Sequence, residues 1–370
     1  MATNGDNIIK MLGLLITVIT FVNHGVNRAR GQGVKETGLF PFGDSYYDVG
    51  NKQFLTNDFL PSSTWPYGIS SDKPNGRFSD GRIVPDFIAA FMNIPNPIPP
   101  ALKPNADFSH GAGFAVADAS VLGNSSETMT FPEQVTKFGD MKSNWNDTFL
   151  RESLFLIQIG TEDYLNFIKG TDADVTKQQA FVAVVIGRIK SGLSLLYMLG
   201  ARKFGYQTLA PLGCLPIVRQ EHQLTGDACY EKLNELAKQH NEKIRPMLES
   251  LAKQFTGFQY TVLDFYGALS RRILPADHAS NIFNRYRFAN TIDACCGIGS
   301  HNAYGCGSII VHSKLCEYQR AYLFYDGKHN SEKANEEIAH LFFGADPDIV
   351  GPMTLRELLV FPPNASMLEF

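Results

Sequence analysis

The sequence predicts an α/β fold: a doubly wound, mainly parallel five-stranded sheet held between two layers of helices. Three observations predict it. Short apolar runs at residues 38–42, 111–116, 154–159, 204–209 and 258–263 are separated by longer stretches of helical period. The runs do not alternate strictly between apolar and polar, as expected of parallel strands covered on both faces. No low-complexity linker and no internal repeat divides residues 32–370, so a single domain is expected there.

The elements follow in order. The run at 38–42 stops abruptly at Gly43-Asp44-Ser45, the pattern of a strand that ends and presents a serine at its carboxyl edge. The Pro-rich piece at 94–104 reads as an ordered surface loop. The second run leads into Ala117-Asp118 and the third into Gly160-Thr161-Glu162-Asp163. In a doubly wound sheet these strand ends converge at one edge, where function gathers. From Phe181, the apolar Val185, Ile189, Leu193 and Leu196 share one helical face; from Tyr230 the same holds for Leu233, Leu236, Ala237, Ile244, Leu248 and Leu251. Pro246 sits inside the second pattern and predicts a kink or split. A last helix over 331–343 starts right after His329.

Of the 370 residues, 44% are apolar and 19% charged, enough for a sizeable core, and the formal net charge is −4. No block of Lys or Arg could track a phosphate backbone, so nucleic acid is excluded as a partner. Lys10 precedes an uncharged apolar run of 12 residues at 11–22. That is short of the ~20 residues a bilayer requires, but it suits a secretory signal peptide over residues 1–31 with Ala29-Arg30-Gly31 at the cleavage site. No transmembrane segment is expected. The protein is therefore expected in the secretory pathway, extracellular or in the lumen of the endoplasmic reticulum or vacuole. The six cysteines, Cys214, Cys229, Cys295, Cys296, Cys306 and Cys316, all lie in the second half. In an oxidising compartment they argue for three disulfides. Spacing leaves the pairing open, although Cys214 with Cys229 makes a natural local loop. A zinc site is the rival reading, but the cysteines with His301 and His312 between them lack ligand-knuckle spacing, so no metal is expected. Asn124, Asn146 and Asn364 head Asn-x-Ser/Thr sites for glycosylation.

The chemistry lies at the two ends. Gly43-Asp44-Ser45 and Asp326-Gly327-Lys328-His329 together hold the groups of a serine hydrolase. Ser45 is the nucleophile, His329 the base that takes its proton, and Asp326 the carboxylate that orients the imidazole. Tyr46 and Tyr47, beside the strand end, read as core aromatics before they read as an acyl pocket. His222 and His240, without acidic or cysteine partners at ligand spacing, read as hydrogen-bonded or exposed.

Further blocks carry a resemblance. They are Phe42-Gly43-Asp44-Ser45, Asn75-Gly76-Arg77-Phe78-Ser79-Asp80-Gly81-Arg82, Pro85-Asp86-Phe87-Ile88-Ala89, Pro211-Leu212-Gly213-Cys214-Leu215-Pro216 and Asp326-x-x-His329. With them the chain resembles the plant GDSL esterase/lipases of the SGNH hydrolase superfamily, with Tyr46 in the place of the name-giving leucine. The resemblance implies a three-layer, flavodoxin-like α/β/α fold, hydrolysis of acyl or acetyl esters of small or lipid substrates, no cofactor, and secretion. It also implies an oxyanion hole of three donors: the N–H of Ser45, a backbone N–H in the block around Phe114-Ala115-Val116-Ala117, and a side chain in the block Ile159-Gly160-Thr161-Glu162. Ala117 stands where the family has glycine, and Glu162 where it has asparagine. An ionised carboxylate has no proton to donate, and losing one such donor costs about 10²–10³ in rate. Two substitutes are then expected, the Thr161 hydroxyl or a Glu162 kept protonated by burial. The stretches 114–120, 142–147, 159–164 and 312–320 resemble the myrosinase-associated and epithiospecifier-modifier-like branch. That branch implies a second function: a weak or inactive hydrolase that binds myrosinase, another β-glucosidase or lectin-like proteins in glucosinolate metabolism or endomembrane organisation.

Overall fold

The computed structural model describes residues 37–360, apart from 57, 96, 124–126, 171–173, 274–287 and 345. The signal peptide expected at 1–31, Asn124 and Asn364 lie outside the described residues. Thr37–Phe370 forms one compact unit.

Four parallel strands, β1 (Leu39–Gly43), β2 (Leu154–Gln158), β3 (Lys203–Gln207) and β4 (Gln259–Leu263), lie in sequence order. Every residue in them is buried, as expected of a parallel sheet covered on both faces. Register explains the layers. Phe40, Phe155 and Phe204 are aligned neighbours on one face. There Phe138 of α2 (Phe131–Met141) packs edge-on against Phe40 and Phe155. This helix contacts α5 (Val175–Met198), which contacts α7 (Glu231–Gln254). Leu156 and Gly205 are aligned on the other face, where the Gly205 backbone sits under Phe342 and Leu355. These belong to α9 (Glu332–Phe343) and α10 (Leu355–Val360); α9 also packs on α1 (Val84–Phe91). The remaining helices, α3 (Asp147–Glu152), α4 (Thr161–Gly170), α6 (Pro216–Glu221) and α8 (Phe265–Ile273), follow or connect strands.

Two expectations are corrected. The run at 111–116 is not a strand. It lies along β1, with Phe114 N and Ala115 N both on Pro41 O and Val116 N on Gly43 O. Pro41 has no N–H to return, so a regular ladder cannot form on this edge. The fifth strand is instead Val350–Gly351 (β9), antiparallel to β4 at the opposite edge. Nor does Pro246 split α7, which runs unbroken through it. The proline is exposed, so the carbonyl it leaves unbonded faces water. Val175–Met198 is long and apolar enough to cross a membrane by composition alone, but its Val182, Val185, Ile189, Leu193 and Leu196 stripe is buried in the core.

All six cysteines are paired, as Cys214–Cys229, Cys295–Cys316 and Cys296–Cys306. The last two staple the segment containing β5 (Asn290–Ala294), β6 (Cys296–Gly297), β7 (Lys314–Leu315) and β8 (Tyr322–Phe324), just before Asp326.

Candidate active site

β1 delivers Ser45 through a sharp turn. Gly43 has φ +138°, and a Cβ there would sit 1.7 Å from the Gln158 carbonyl oxygen. No other residue fits between the strands at that point. Beyond it, the buried Asp44 folds the turn by accepting from Tyr46 N at 3.1 Å. Burial, and next to it the charge of Glu162, push the Asp44 carboxyl up to about 8 against the pull of the Tyr46 N–H.

His329 arrives from the other end of the chain, just before α9. Its Nε2 is 2.7 Å from Ser45 Oγ, and its Nδ1 is 2.8 Å from both oxygens of Asp326. Asp326 also accepts from Tyr67 Oη at 2.6 Å and from the N–H groups of Lys328 and His329 at 2.8 Å. Burial alone would raise this carboxyl. The adjacent imidazole, its hydrogen bond and the Tyr67 hydroxyl outweigh burial and hold it at about 2. The ring is packed as well as bonded: Phe78 lies 4.9 Å from its centroid and Tyr46 edges it at 5.6 Å.

The blocks at 75–82 and 85–89 turn out to be braces. Arg77 makes a two-pronged bond to Asp86, 2.7 Å at each contact, and reaches Val49 O. Asp80 accepts from Glu332 N at 2.6 Å, tying the Phe78 loop to the helix that follows His329. Tyr46, in the place of leucine, donates to Lys328 O at 2.7 Å and so joins the serine turn to the histidine loop. Tyr47 is core and donates to Gln207.

The expected oxyanion donors fare differently. Ala117 N–H is already given to Asp48 Oδ2 at 2.8 Å. That buried carboxylate also accepts from the N–H groups of Gly50, Asn51 and Lys52, which organises the turn after the serine. Ala117 is therefore corrected as a donor: the fold spends its N–H on the turn. The left-handed backbone falls one residue later, at Asp118 with φ +62°. The Thr161 hydroxyl is engaged within the turn, 3.2 Å from the Gln158 side-chain amide. Glu162 Oε1 accepts from Lys328 Nζ at 2.7 Å, which sets a cation directly against this side chain. Lys328 also lies 3.8 Å from Asp118, which pairs with Lys52 at 3.2 Å. Burial pulls the Lys328 ammonium down, but Glu162 and Asp118 together raise it well above the usual lysine value. The Lys328–Glu162 pair escaped sequence reasoning because 166 positions separate its members.

A cleft of about 330 Å³ abuts the His329 and Asp326 side of this array, walled by Phe59, Tyr67, Phe78 and Ile217; Ser45 is not among its walls. His240 and His301 lie elsewhere. His240 is buried and bonded to Tyr164 Oη at 2.9 Å, and His301 bridges Asp293 and the Leu224 carbonyl. His222 stacks on Tyr230, and His312 is exposed.

A serine turn at the end of the first strand, met by an Asp-x-x-His loop on a three-layer sheet, defines a class of α/β acyl hydrolase folds. The chain belongs to the GDSL-like Lipase/Acylhydrolase family, whose model matches residues 39–342. Among relatives, it is 59% identical to GDSL esterase/lipase ESM1 of Arabidopsis thaliana, over 98% of this chain and 93% of that one. It is 53% identical to Inactive GDSL esterase/lipase-like protein 23 of the same plant, over 100% and 95% of the two chains. With Arabidopsis GDSL esterase/lipase 22 it shares 52%, over 100% and 94%.

Proposed function

We propose that this protein is a secreted carboxylic-ester hydrolase that uses Ser45, His329 and Asp326. The unbroken hydrogen-bonded line from Ser45 Oγ through the imidazole to the buried Asp326 carboxylate carries the reading. Ser45 Oγ attacks the ester carbonyl while His329 Nε2 takes its proton; the alkoxide leaves with that proton as the alcohol. Water, deprotonated by the same nitrogen, then releases the acid from the acyl-serine. Asp326 keeps the ring in the tautomer with hydrogen on Nδ1 and stabilises the imidazolium. The Ser45 N–H is left to meet the oxyanion while Lys328 offsets the charge of Glu162, so turnover is slow beside that of a three-donor site. Entry to the secretory pathway through residues 1–31 accords with three disulfides. It also accords with Asn146, whose exposed side chain caps α3 and leaves its amide nitrogen free for a glycan.

Three observations favour a second reading, a binding protein on a hydrolase scaffold that engages a β-thioglucosidase or lectin-like partner. A carboxylate stands where a donor is needed, Ala117 N–H is occupied, and a relative at 53% identity bears the name inactive. Hydrolysis of p-nitrophenyl butyrate decides. Ser45→Ala should lower kcat by ~10⁴ or more, and Glu162→Asn should raise it. A wild type as inert as Ser45→Ala, with a glycosidase co-purifying with both, gives the second reading the case.

A further inference from the structure

Among the described residues 15 large apolar side chains are exposed, and nine of them fall in two short stretches, 54–65 and 304–318. The surface is thus uneven in a way that a solvated loop is not. The two stretches touch. Thr64 Oγ1 donates to Gly307 O at 3.1 Å, and Gly307 packs so closely on the Tyr67 ring and the Pro61 carbonyl that a Cβ there would meet both at 3.1 Å. Both border the cleft, through Phe59 and Pro61 on one side and Gly305 and Ser308 on the other.

The outermost point is the tip at 309–311, where Ile309 is 73% and Ile310 90% exposed. Ser308 Oγ accepts from Ile310 N and Val311 N and turns the tip outward. The Cys296–Cys306 and Cys295–Cys316 bridges hold its base, so it cannot fold back to hide. Its chemistry is graded. No charge lies between Cys306 and Val311. Trp65, 59% exposed, and Tyr304 flank it, and exposed His312 and Lys314 follow at once, against Asp58 and Glu317 as the acids of the two stretches. Aliphatic tip, aromatic flank and a base carrying both signs of charge match the layers of a zwitterionic lipid interface: acyl chains, carbonyl region and headgroups.

We propose that the tip at 309–311, with Phe59 and Trp65, seats the protein on a lipid surface bearing zwitterionic headgroups, with the mouth of the cleft against the layer. What then enters the cleft rests on the ester-hydrolase reading; the surface contact does not.

The chain has two tryptophans, and Trp145 is buried, so a change of fluorescence on lipid reports on Trp65 and not on the apolar amino terminus. With the full chain, phosphatidylcholine vesicles should shift the emission to the blue, and brominated acyl chains should quench it. Trp65→Phe should abolish both signals. Ile309→Ser with Ile310→Ser should weaken partition about a hundredfold while hydrolysis of soluble p-nitrophenyl butyrate stays at the wild-type rate. Absent quenching, or a double serine variant that partitions like wild type, overturns the proposal. So does a dimer in sedimentation that the double variant dissolves without any vesicle signal, which would assign the face to a second copy. Quenching in a protein inert to every ester would end the hydrolase reading and leave the surface standing.

Discussion

Lys328→Met is the perturbation that tests the electrostatics of the site most directly. The ammonium lies 2.7 Å from Glu162 and 3.8 Å from Asp118, and the Glu162 side chain is only 11% exposed. Without the lysine, a nearly buried carboxylate faces the serine turn with no nearby cation. Two like charges about 6 Å apart repel by roughly 3 kcal/mol at an effective dielectric of about 20, which sets the scale of the effect on an oxyanion at the serine. Solvent entering on the Lys328 side, which is 25% exposed, trims that to roughly 2 kcal/mol. The kcat for p-nitrophenyl butyrate should then fall about thirtyfold to a hundredfold with KM little changed, because the charge develops only in the transition state. In a Glu162→Gln background the same lysine change should cost less than about threefold, since the offending charge is gone. An unchanged kcat in Lys328→Met, or an equal loss in both backgrounds, would refute the reasoning and leave Lys328 a surface cation.

Other expectations are simpler to check. Gly43→Ala should prevent recovery of folded protein, because φ +138° and a 1.7 Å clash with backbone leave no room to adjust; circular dichroism of the purified variant reads it. Tyr46→Phe removes the bond to Lys328 O and should cost about 1 kcal/mol in urea unfolding, with a measurable loss of kcat as the histidine loop loosens. His240 is fully buried, and burial depresses its pKa to about 3, so the unfolded chain takes up a proton below about pH 6.5 that the native state refuses. The contribution of His240 to stability should therefore fall by about 1.4 kcal/mol per pH unit from pH 6.5 downward, read as the difference between wild type and His240→Gln in urea titrations. Asp326 acts lower: its carboxyl, depressed to about 2, stabilises the native state above about pH 4, and that contribution is lost as the pH falls towards 2. Replacing both Cys295 and Cys316 by serine opens a loop of 21 residues and should cost about 3 kcal/mol.

Much of the fold was legible because its signals are local. Four apolar runs became β1 to β4, since parallel strands buried on both faces need only be short and apolar. The run at 111–116 has the same composition, yet its neighbour across the edge is Pro41, whose missing N–H matters only once the two segments are side by side. β9 is two residues long, too short for any period. The Ser45, Asp326 and His329 positions were readable from motifs that are contiguous in the chain. The oxyanion side was not: Ala117 N–H is claimed by Asp48, 69 positions away. Tyr67, the hydroxyl on Asp326, is 259 positions from its partner and belongs to no motif. Pairing at that range is set by packing of the sheet edge, which composition and spacing do not encode.

The bond between Ser45 and His329 closes a span of 284 positions, and the last parallel strand of the central sheet is complete by residue 263. A nascent chain can thus build most of its sheet while the imidazole is still inside the ribosome. The contact between serine and imidazole would be the final one made during synthesis. Fragments cut short before the stapled segment, however well ordered, would lack the base that the proposed chemistry requires.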